Sequence, residues 1–168
     1  RAIVDYTYAI SLKSGYTKVA PHAYYWRGMA YHSKGDHEKA IEDFSKAISL
    51  KPDGVDAYNR RVDAYNRRGL AYSKTAKYDK AIEDFNKAIS LKPDNADLYS
   101  NRGNANLYGK KEYDRAIEDF NKAISLEPDN ANTYESRGGA YYAIAKYDKA
   151  TEDYTHAINL ESADRKPI

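Results

Sequence analysis

One phrase of 15 residues recurs along the chain, and this repetition constrains the fold more than any other feature. The phrase KAIEDFSKAISLKPD at 39–53 returns almost unchanged at 80–94 and 115–129, and more loosely at 149–163. Its anchoring alanines are Ala40, Ala81, Ala116 and Ala150. These anchors are 41, 35 and 34 residues apart. A period near 34 residues, with one copy lengthened by seven, predicts an array of similar supersecondary units.

Each copy of the phrase predicts an amphipathic helix. The apolar residues of the first copy recur at helical spacing and are Ala40, Ile41, Phe44, Ala47 and Ile48. Charged residues occupy the opposite face, and a proline that cannot continue a helix lies near the end of each of the first three copies. A second phrase, represented by YNRRGLAY at 65–72, precedes each copy. It predicts a first helix that packs against the second.

A glycine recurs at one register of the first helices. These glycines are Gly28, Gly69, Gly103 and Gly138. Glycine inside a helix costs about 1 kcal/mol relative to alanine, so four of them indicate close packing against the partner helix. No strand precedes any of them, which argues against a phosphate-binding glycine loop.

The two phrases together resemble the tetratricopeptide repeat, whose pattern joins an aromatic residue, Gly-x2-Tyr, Ala-x3-Phe and a proline. The first aromatic residues are Tyr24, Tyr65, Tyr99 and Tyr134. The later pairs are Gly28/Tyr31, Gly69/Tyr72, Gly138/Tyr141, Ala40/Phe44, Ala81/Phe85, Ala116/Phe120 and Ala150/Tyr154. The departures are Asn106, Ser162 and the arginines that replace the family leucine, Arg27, Arg68, Arg102 and Arg137. This resemblance implies an all-α, right-handed superhelical solenoid of antiparallel helix pairs.

The repeat register predicts one helical-repeat domain over 1–168. Its repeats are expected at 21–54, 62–95, 96–130 and 131–164, and residues 1–16 resemble the second helix of an earlier repeat. One extra residue near Gly109 is expected in the turn between the helices of the 96–130 repeat. Arrays of this kind need polar terminal caps, and the sequence shows no polar capping helix after Leu160 and no partner helix for residues 1–16. We therefore expect exposed packing surface at both ends, most of all at the N-terminal end.

Composition argues against several other classes of protein. The 27 Lys and Arg residues nearly balance the 25 Asp and Glu residues, which argues against a dedicated nucleic-acid binder. There are no cysteines, which excludes disulfides, thiolate metal sites and cysteine nucleophiles. No apolar run approaches the roughly 18 residues of a membrane span, and no signal peptide is evident, so we expect a cytoplasmic protein. Arg1 is not a natural start residue, which indicates that the true N-terminus is missing.

No arrangement of residues predicts catalysis, a metal site or a cofactor. The four histidines lack the i, i+4 spacing of paired ligands and are interpreted as packing or solvent-exposed residues. The adjacent carboxylates are Glu42–Asp43, Glu83–Asp84, Glu118–Asp119 and Glu152–Asp153. Neighbouring helix residues diverge by about 100°. These pairs are therefore interpreted as a solvated face that pairs with the repeated arginines.

The resemblance implies that a peptide or protein partner binds in a concave groove lined by the first helices. The residues expected to contact it are Tyr25, Met29, His32, Asn66, Leu70, Ser73, Ser100, Asn104, Leu107, Glu135 and Tyr142. The fifth residue of each repeat is Tyr25, Asn66, Ser100 or Glu135 rather than lysine. This disfavours the subtype that clamps a C-terminal carboxylate.

Two other functions stay open at this point. The groove residues are also compatible with a structural, self-assembling or engineered array without a selected ligand. A local basic stretch from Arg60 to Lys77, with Tyr58 and Tyr65 interleaved, suggests an RNA-binding helical repeat as a weaker alternative. About half of that stretch comes from the duplication of a heptad at 55–61 and 62–68, and acidic residues are interspersed throughout, which weakens this alternative.

The heptad VDAYNRR occurs twice in succession, at 55–61 and 62–68. Seven residues are nearly two helical turns, with a phase error of about 20°, so an insertion preserves the faces of the helix. Gly69 follows the second copy, which identifies 55–61 as the insert and predicts one helix from 55 to about 75. Val55, Tyr58 and Val62 then form a heptad seam that we expect to promote self-association. The alternative is a looped-out, harmless insert of natural or engineered origin.

Overall fold

The computed structural model describes residues 1–12, 20–50 and 55–164, and at 55–57 and 164 the backbone alone. The described residues are helical and contain no strand, so the predicted all-α class is confirmed. The chain divides into two units, Arg1–Lys92 and Pro93–Ile168. The helices of the first unit are α1 (Ala2–Ser11), α2 (Ala20–Ser33), α3 (His37–Ser49), α4 (Val55–Lys74) and α5 (Tyr78–Leu91). Those of the second unit are α6 (Ala96–Asn104), its π-helical continuation (Ala105–Lys110), α7 (Tyr113–Leu126), α8 (Ala131–Ala143) and α9 (Tyr147–Asp164).

Each hairpin is held by an aromatic ring that lies on a glycine. Phe44, Phe85 and Phe120 are fully buried. A Cβ atom added at Gly69 would lie 2.7 Å from Cε1 of Phe85, inside any real van der Waals contact. The close packing predicted from the repeated glycines is therefore confirmed, since a side chain at that register would displace the ring.

A left-handed residue closes each turn between paired helices. The residues with positive φ are Gly35 (81°), Ala76 (56°), Lys111 (55°) and Ala145 (58°). The next amide then donates back to the last turn of the first helix, as Lys77 N does to the carbonyl oxygen of Tyr72 at 2.8 Å. This shared geometry explains why only three residues separate α2 from α3, or α4 from α5.

The extra residue of the third full repeat lies inside its first helix. The amide of Glu112 donates to the carbonyl oxygen of Asn106, six residues back, whereas the equivalent bond in the other turns spans five. The segment Ala105–Lys110 takes up this residue as a π-helical turn, the usual way to insert one residue into a helix. The expectation of an insertion in the turn itself was wrong, because the left-handed closure is retained unchanged.

The duplicated heptad extends α4 without interrupting it. Val55–Lys74 is one helix of 20 residues, which confirms the predicted continuous helix and excludes a looped-out insert. Val62 is buried within its own chain, and the hydroxyl of Tyr58 donates to the carbonyl oxygen of Leu91. Two residues of the expected self-association seam thus already have partners in the same chain. The third, Val55, has a side chain outside the described residues.

Candidate partner-binding surfaces

The repeated arginines bind the repeated aspartates inside each helix pair. The pairs are Arg27–Asp43, Arg68–Asp84, Arg102–Asp119 and Arg137–Asp153. In the second pair, Nε and Nη2 of Arg68 donate to the two carboxylate oxygens of Asp84, each at 2.7 Å. The four aspartates are buried. Their expected place on a solvated face was therefore wrong, whereas pairing with the arginines is confirmed.

The same arginines also join neighbouring helix pairs within a unit. The third guanidinium nitrogen, Nη1, donates to Thr7 from Arg27 at 3.1 Å and to Ser45 from Arg68 at 2.9 Å. The hydrogen bonds that Arg27 donates to the carboxylate of Asp43 raise the pKa of Arg27, although burial lowers it. Arg27 and Arg68 thus each connect three helices through charge-assisted hydrogen bonds, which gives them a structural role in the packing of the first unit.

Tyr25 lies in the core of the first unit instead of on a groove wall. Its side chain is 7% exposed and packs near Phe44 and Ala64. Its hydroxyl donates to the carboxylate of Asp63 on α4, and burial, followed by this carboxylate, raises the pKa of the phenol. Tyr25 therefore ties α2 to α4 and offers little surface to a partner, because the small Ala64 leaves room for its ring.

A cluster of basic groups lies where α2 and α4 approach the α2–α3 turn. The rings of His32 and His37 are 4.9 Å apart between centroids. Burial first, and then the positive charges of His37, Arg67 and Lys74, lower the pKa of His32. Nδ1 of each histidine is buried and has no hydrogen-bond partner among the described residues. Lys74 is exposed.

Spacing within one helix does not predict the contact between the two histidines. His32 and His37 are on different helices, and the α2–α3 hairpin brings them together. The same two registers meet in the last repeat, where the rings of Tyr142 and Tyr147 are 5.4 Å apart. The repeat register, read across the turn, would have indicated both contacts.

We define the α2–α4 face by Met29, His32, Arg67, Leu70 and Lys74. Met29 is half-buried against the core cluster that contains Tyr25, and Leu70 is half-buried one turn from Arg67 and Lys74.

Two other predicted groove residues lie on α4. Asn66 is half-buried, and the hydroxyl of Ser73 donates to the carbonyl oxygen of Gly69 at 3.1 Å. Met29, His32 and Leu70 of the α2–α4 face belong to the residues predicted to line a groove, whereas Arg67 and Lys74 lie outside the predicted set.

The predicted groove residues of the second unit divide into buried and exposed groups. Leu107 belongs to the core, and the hydroxyls of Ser100 and Thr133 lie 3.1 Å apart. Oδ1 of Asn104 is buried and has no hydrogen-bond partner among the described residues.

The exposed group of the second unit lies close enough to Tyr154 to affect its titration. Glu135 is exposed, and Tyr108 and Tyr142 are 68% and 62% exposed. Burial first, and then the proximity of Tyr108, Glu135 and Tyr142, raise the pKa of Tyr154. These side chains therefore converge on one mainly aromatic surface. Leu107, by contrast, is buried because it packs under α7 and α8, and it offers little to a partner.

Within residues 1–12, 20–50 and 55–164, no three histidine, aspartate or glutamate side chains are grouped as a metal site would require. In the same ranges, no helix combines the length and apolar character needed to cross a bilayer.

Helix hairpins that repeat about every 34 residues, each with a ring on a glycine, define a helical-repeat protein. The model of the family described as tetratricopeptide repeat matches residues 21–53 and 62–95, and a TPR repeat model matches residues 106–144. The chain belongs to the tetratricopeptide repeat family. A comparison with curated protein sequences found no match.

Solved structures of similar fold include MamA, with 25% identity over 98% of this chain and 90% of that chain and a TM-score of 0.83. MamA 41-end from Desulfovibrio magneticus RS-1 has 22% identity over 98% of both chains and a TM-score of 0.77. YrrB, described as a TPR protein with an unusual peptide-binding site, has 21% identity over 95% of this chain and 76% of that chain, with a TM-score of 0.76. Family and fold together support a protein-interaction scaffold.

Proposed function

We propose that the chain is a non-catalytic binding module whose α2–α4 face takes a peptide segment with an acidic side chain beside an apolar one. The observation that carries this proposal is the convergence of His32, Arg67 and Lys74. Burial lowers the pKa of His32 most, and the charges of His37, Arg67 and Lys74 are close enough to lower it further. The carboxylate of Asp63 lies 3.4 Å from Nε of Arg67, but it also accepts a hydrogen bond from the hydroxyl of Tyr25.

An incoming carboxylate would offset the mutual repulsion of these groups. It would also accept hydrogen bonds from charged donors, which are stronger than neutral ones. Met29 and Leu70, both half-buried beside the cluster, supply the apolar contact that a partner needs for affinity. YrrB, which has a similar structure and is described as having an unusual peptide-binding site, supports peptide binding as the role of this fold.

An array of synthetic 12-residue peptides, varied in acidic and apolar positions, tests this proposal. We expect enrichment of peptides that place Asp or Glu next to Leu, Met or Phe. Lys74→Glu should weaken the best peptide about tenfold or more, because it replaces attraction by repulsion at the site. Lys122→Glu, an equal change of charge on the exposed side of α7, serves as the matched control.

The proposal also predicts proton uptake on binding. A bound carboxylate favours charged His32, so affinity should be higher at pH 6 than at pH 8, and His32→Gln should flatten this difference. Peptide selection that ignores acidic residues, or equal effects of Lys74→Glu and Lys122→Glu, would contradict the proposal.

A further inference from the structure

One face of α8 has a gap between a carboxylate and an exposed tyrosine. Glu135, Gly139 and Tyr142 follow one another at helical spacing and therefore lie on the same face of the helix. Among the described residues of other helices, the nearest atom to a Cβ added at Gly139 would be the hydroxyl oxygen of Tyr154, at 3.9 Å. This hydroxyl forms the floor of a notch that a larger residue at position 139 would fill.

Exposed tyrosines border this notch. The ring of Tyr142 meets that of Tyr147 edge to face, with 5.4 Å between the centroids, and both side chains are exposed. Tyr108, which is also exposed, belongs to the π-helical turn Ala105–Lys110 and lies near enough to Tyr154 to act on its titration. The α8 notch is defined by Tyr108, Glu135, Gly139, Tyr142, Tyr147 and Tyr154.

The groups around the notch are electron-rich. Burial raises the pKa of Tyr154 most, and four nearby groups raise it further, namely Tyr108, Glu135, Tyr142 and Asp153. Asp153 is bound by Arg137. Glu135 is exposed and has no ion pair among the described residues. A free carboxylate beside tyrosine rings attracts a cation, because the faces of such rings are the negative part of their quadrupole.

Other tyrosines of the second unit are already covered by cations. The guanidinium carbon of Arg137 lies 5.5 Å from the ring centroid of Tyr134, and Nζ of Lys149 lies 5.4 Å from that of Tyr141. Contacts within about 6 Å are attractive. Among the described residues, the three exposed rings of the α8 notch have no cation at such a distance. A cation from another chain can therefore reach their faces.

We propose that the α8 notch binds the guanidinium group of an arginine side chain of a partner polypeptide. The guanidinium plane stacks on the ring of Tyr142, and its N–H groups donate to the carboxylate of Glu135 and to the hydroxyl oxygen of Tyr154. The notch belongs to the second unit and shares no residue with the α2–α4 face. It does not depend on the peptide binding proposed there.

The geometry of the notch favours arginine over other cations. The rise of the helix places Glu135 about 6 Å and Tyr142 about 4.5 Å from Gly139 along the axis. A guanidinium group can stack on a ring and still donate from its edge to acceptors. A lysine ammonium group is a compact, strongly hydrated charge, and a trimethylated lysine has no N–H group to donate to Glu135 or Tyr154.

The probe is the tripeptide acetyl-Gly-Arg-Gly-amide, titrated into the whole 168-residue chain labelled with nitrogen-15. We expect saturable amide shifts around Glu135, Gly139 and Tyr142 in the NMR spectrum. The same peptide with citrulline, which keeps the shape of arginine without its charge, should bind about tenfold more weakly. The lysine peptide should bind about fivefold more weakly, because it cannot stack and donate to both acceptors together.

Four variants separate the parts of the site. Gly139→Leu should abolish binding, because its side chain fills the notch. Tyr142→Leu and Glu135→Gln should each weaken binding about fivefold through loss of the ring face or the carboxylate charge. Tyr154→Phe keeps the ring on Gly138 but removes the hydroxyl acceptor, and should weaken binding about threefold. Helical circular dichroism checks that each variant is folded.

Matched controls lie outside the notch. Glu118→Gln removes an exposed carboxylate on α7, and Tyr8→Leu removes an exposed tyrosine of α1. Both variants, and Lys74→Glu on the α2–α4 face, should leave binding of the arginine peptide unchanged. Equal binding of the citrulline peptide, or equal losses from Glu118→Gln and Glu135→Gln, would overturn the proposal. Equal binding of the lysine peptide would overturn the assignment to arginine.

Discussion

Two adjacent glycines of α8 should respond differently to alanine: Gly139→Ala should stabilise the fold and Gly138→Ala should not. A Cβ atom at Gly138 would lie 2.8 Å from Cε1 and 3.0 Å from Cδ1 of Tyr154. A Cβ atom at Gly139 would meet only the hydroxyl oxygen of the same residue, at 3.9 Å. Both glycines lie inside Ala131–Ala143 without positive φ, so alanine suits the backbone at either position. The two variants therefore differ in packing alone.

The magnitudes follow from two terms. Helix propensity favours alanine over glycine by roughly 1 kcal/mol at both positions. Overpacking, which applies only at Gly138, costs about 1–3 kcal/mol. We expect Gly139→Ala to raise the free energy of unfolding by about 1 kcal/mol. Gly138→Ala should range from nearly neutral to a loss of about 2 kcal/mol.

Urea denaturation followed by circular dichroism measures both variants under the same conditions. The quantity to compare is the difference in the free energy of unfolding between the two variants, about 1–3 kcal/mol. Both variants have the same gain in helix propensity and lie in the same helix, so the difference reports the overpacking alone. Gly103→Ala should fall at the destabilising end, since Phe120 is fully buried and a Cβ atom would lie 2.7 Å from its Cε1. Equal stabilisation by Gly138→Ala and Gly139→Ala would refute the assignment of these glycines to ring packing.

Three further changes test other parts of the molecule. Arg68→Leu restores the family residue but leaves Asp84 buried without its partner, so it should lower the free energy of unfolding, measured by urea denaturation, by about 3–5 kcal/mol. The control Arg115→Leu, which removes an exposed ion pair with Glu112, should change it by less than about 0.5 kcal/mol. His32 has a lowered pKa, so the fold favours its neutral form. The resulting contribution to stability is complete above pH about 6.5 and is lost as the pH falls. His32→Gln should therefore reduce the decrease in the free energy of unfolding between pH about 7.5 and about 5. Deleting 55–61 should shorten α4 by two turns with its helical faces kept, and an unchanged mass in sedimentation equilibrium would count against insert-driven self-association.

The fold was predictable because the same local interaction is written several times in the sequence. A glycine in a first helix and an aromatic residue in the second helix recur at fixed separations, and the structure places each pair in contact. The end of the first helix was less predictable in the 96–130 repeat. A π-helical turn and a longer loop have the same residue count, so the sequence does not separate them.

The candidate site was predictable in register and not in environment. The repeat register selects Met29 and His32, one turn apart on α2, and Leu70, one turn from Arg67 on α4, and Arg67 is close enough to His32 to lower its pKa after burial has done so. Tyr25 was selected by the same rule but is buried, because the neighbouring helix presents Ala64 and Asp63 to it. Whether a register residue is exposed depends on side-chain volumes on the next helix, which periodicity within one helix does not report.

The heptad insert shows how one sequence performs two roles. In the second copy, Tyr65 lies beside the ammonium group of Lys87, with 5.9 Å between the nitrogen and the ring centroid. In the first copy, the equivalent Tyr58 extends past that hairpin core and donates its hydroxyl to the carbonyl oxygen of Leu91, the last residue of α5. The final carbonyls of a helix lack donors within the helix, so this bond satisfies a group that would otherwise need water. The two added turns of α4 are thus anchored at the end of α5, and Val62 is buried at the position where the regular repeat begins. An insert that is in phase and anchored in this way can persist in a folded chain without a second copy to cover it.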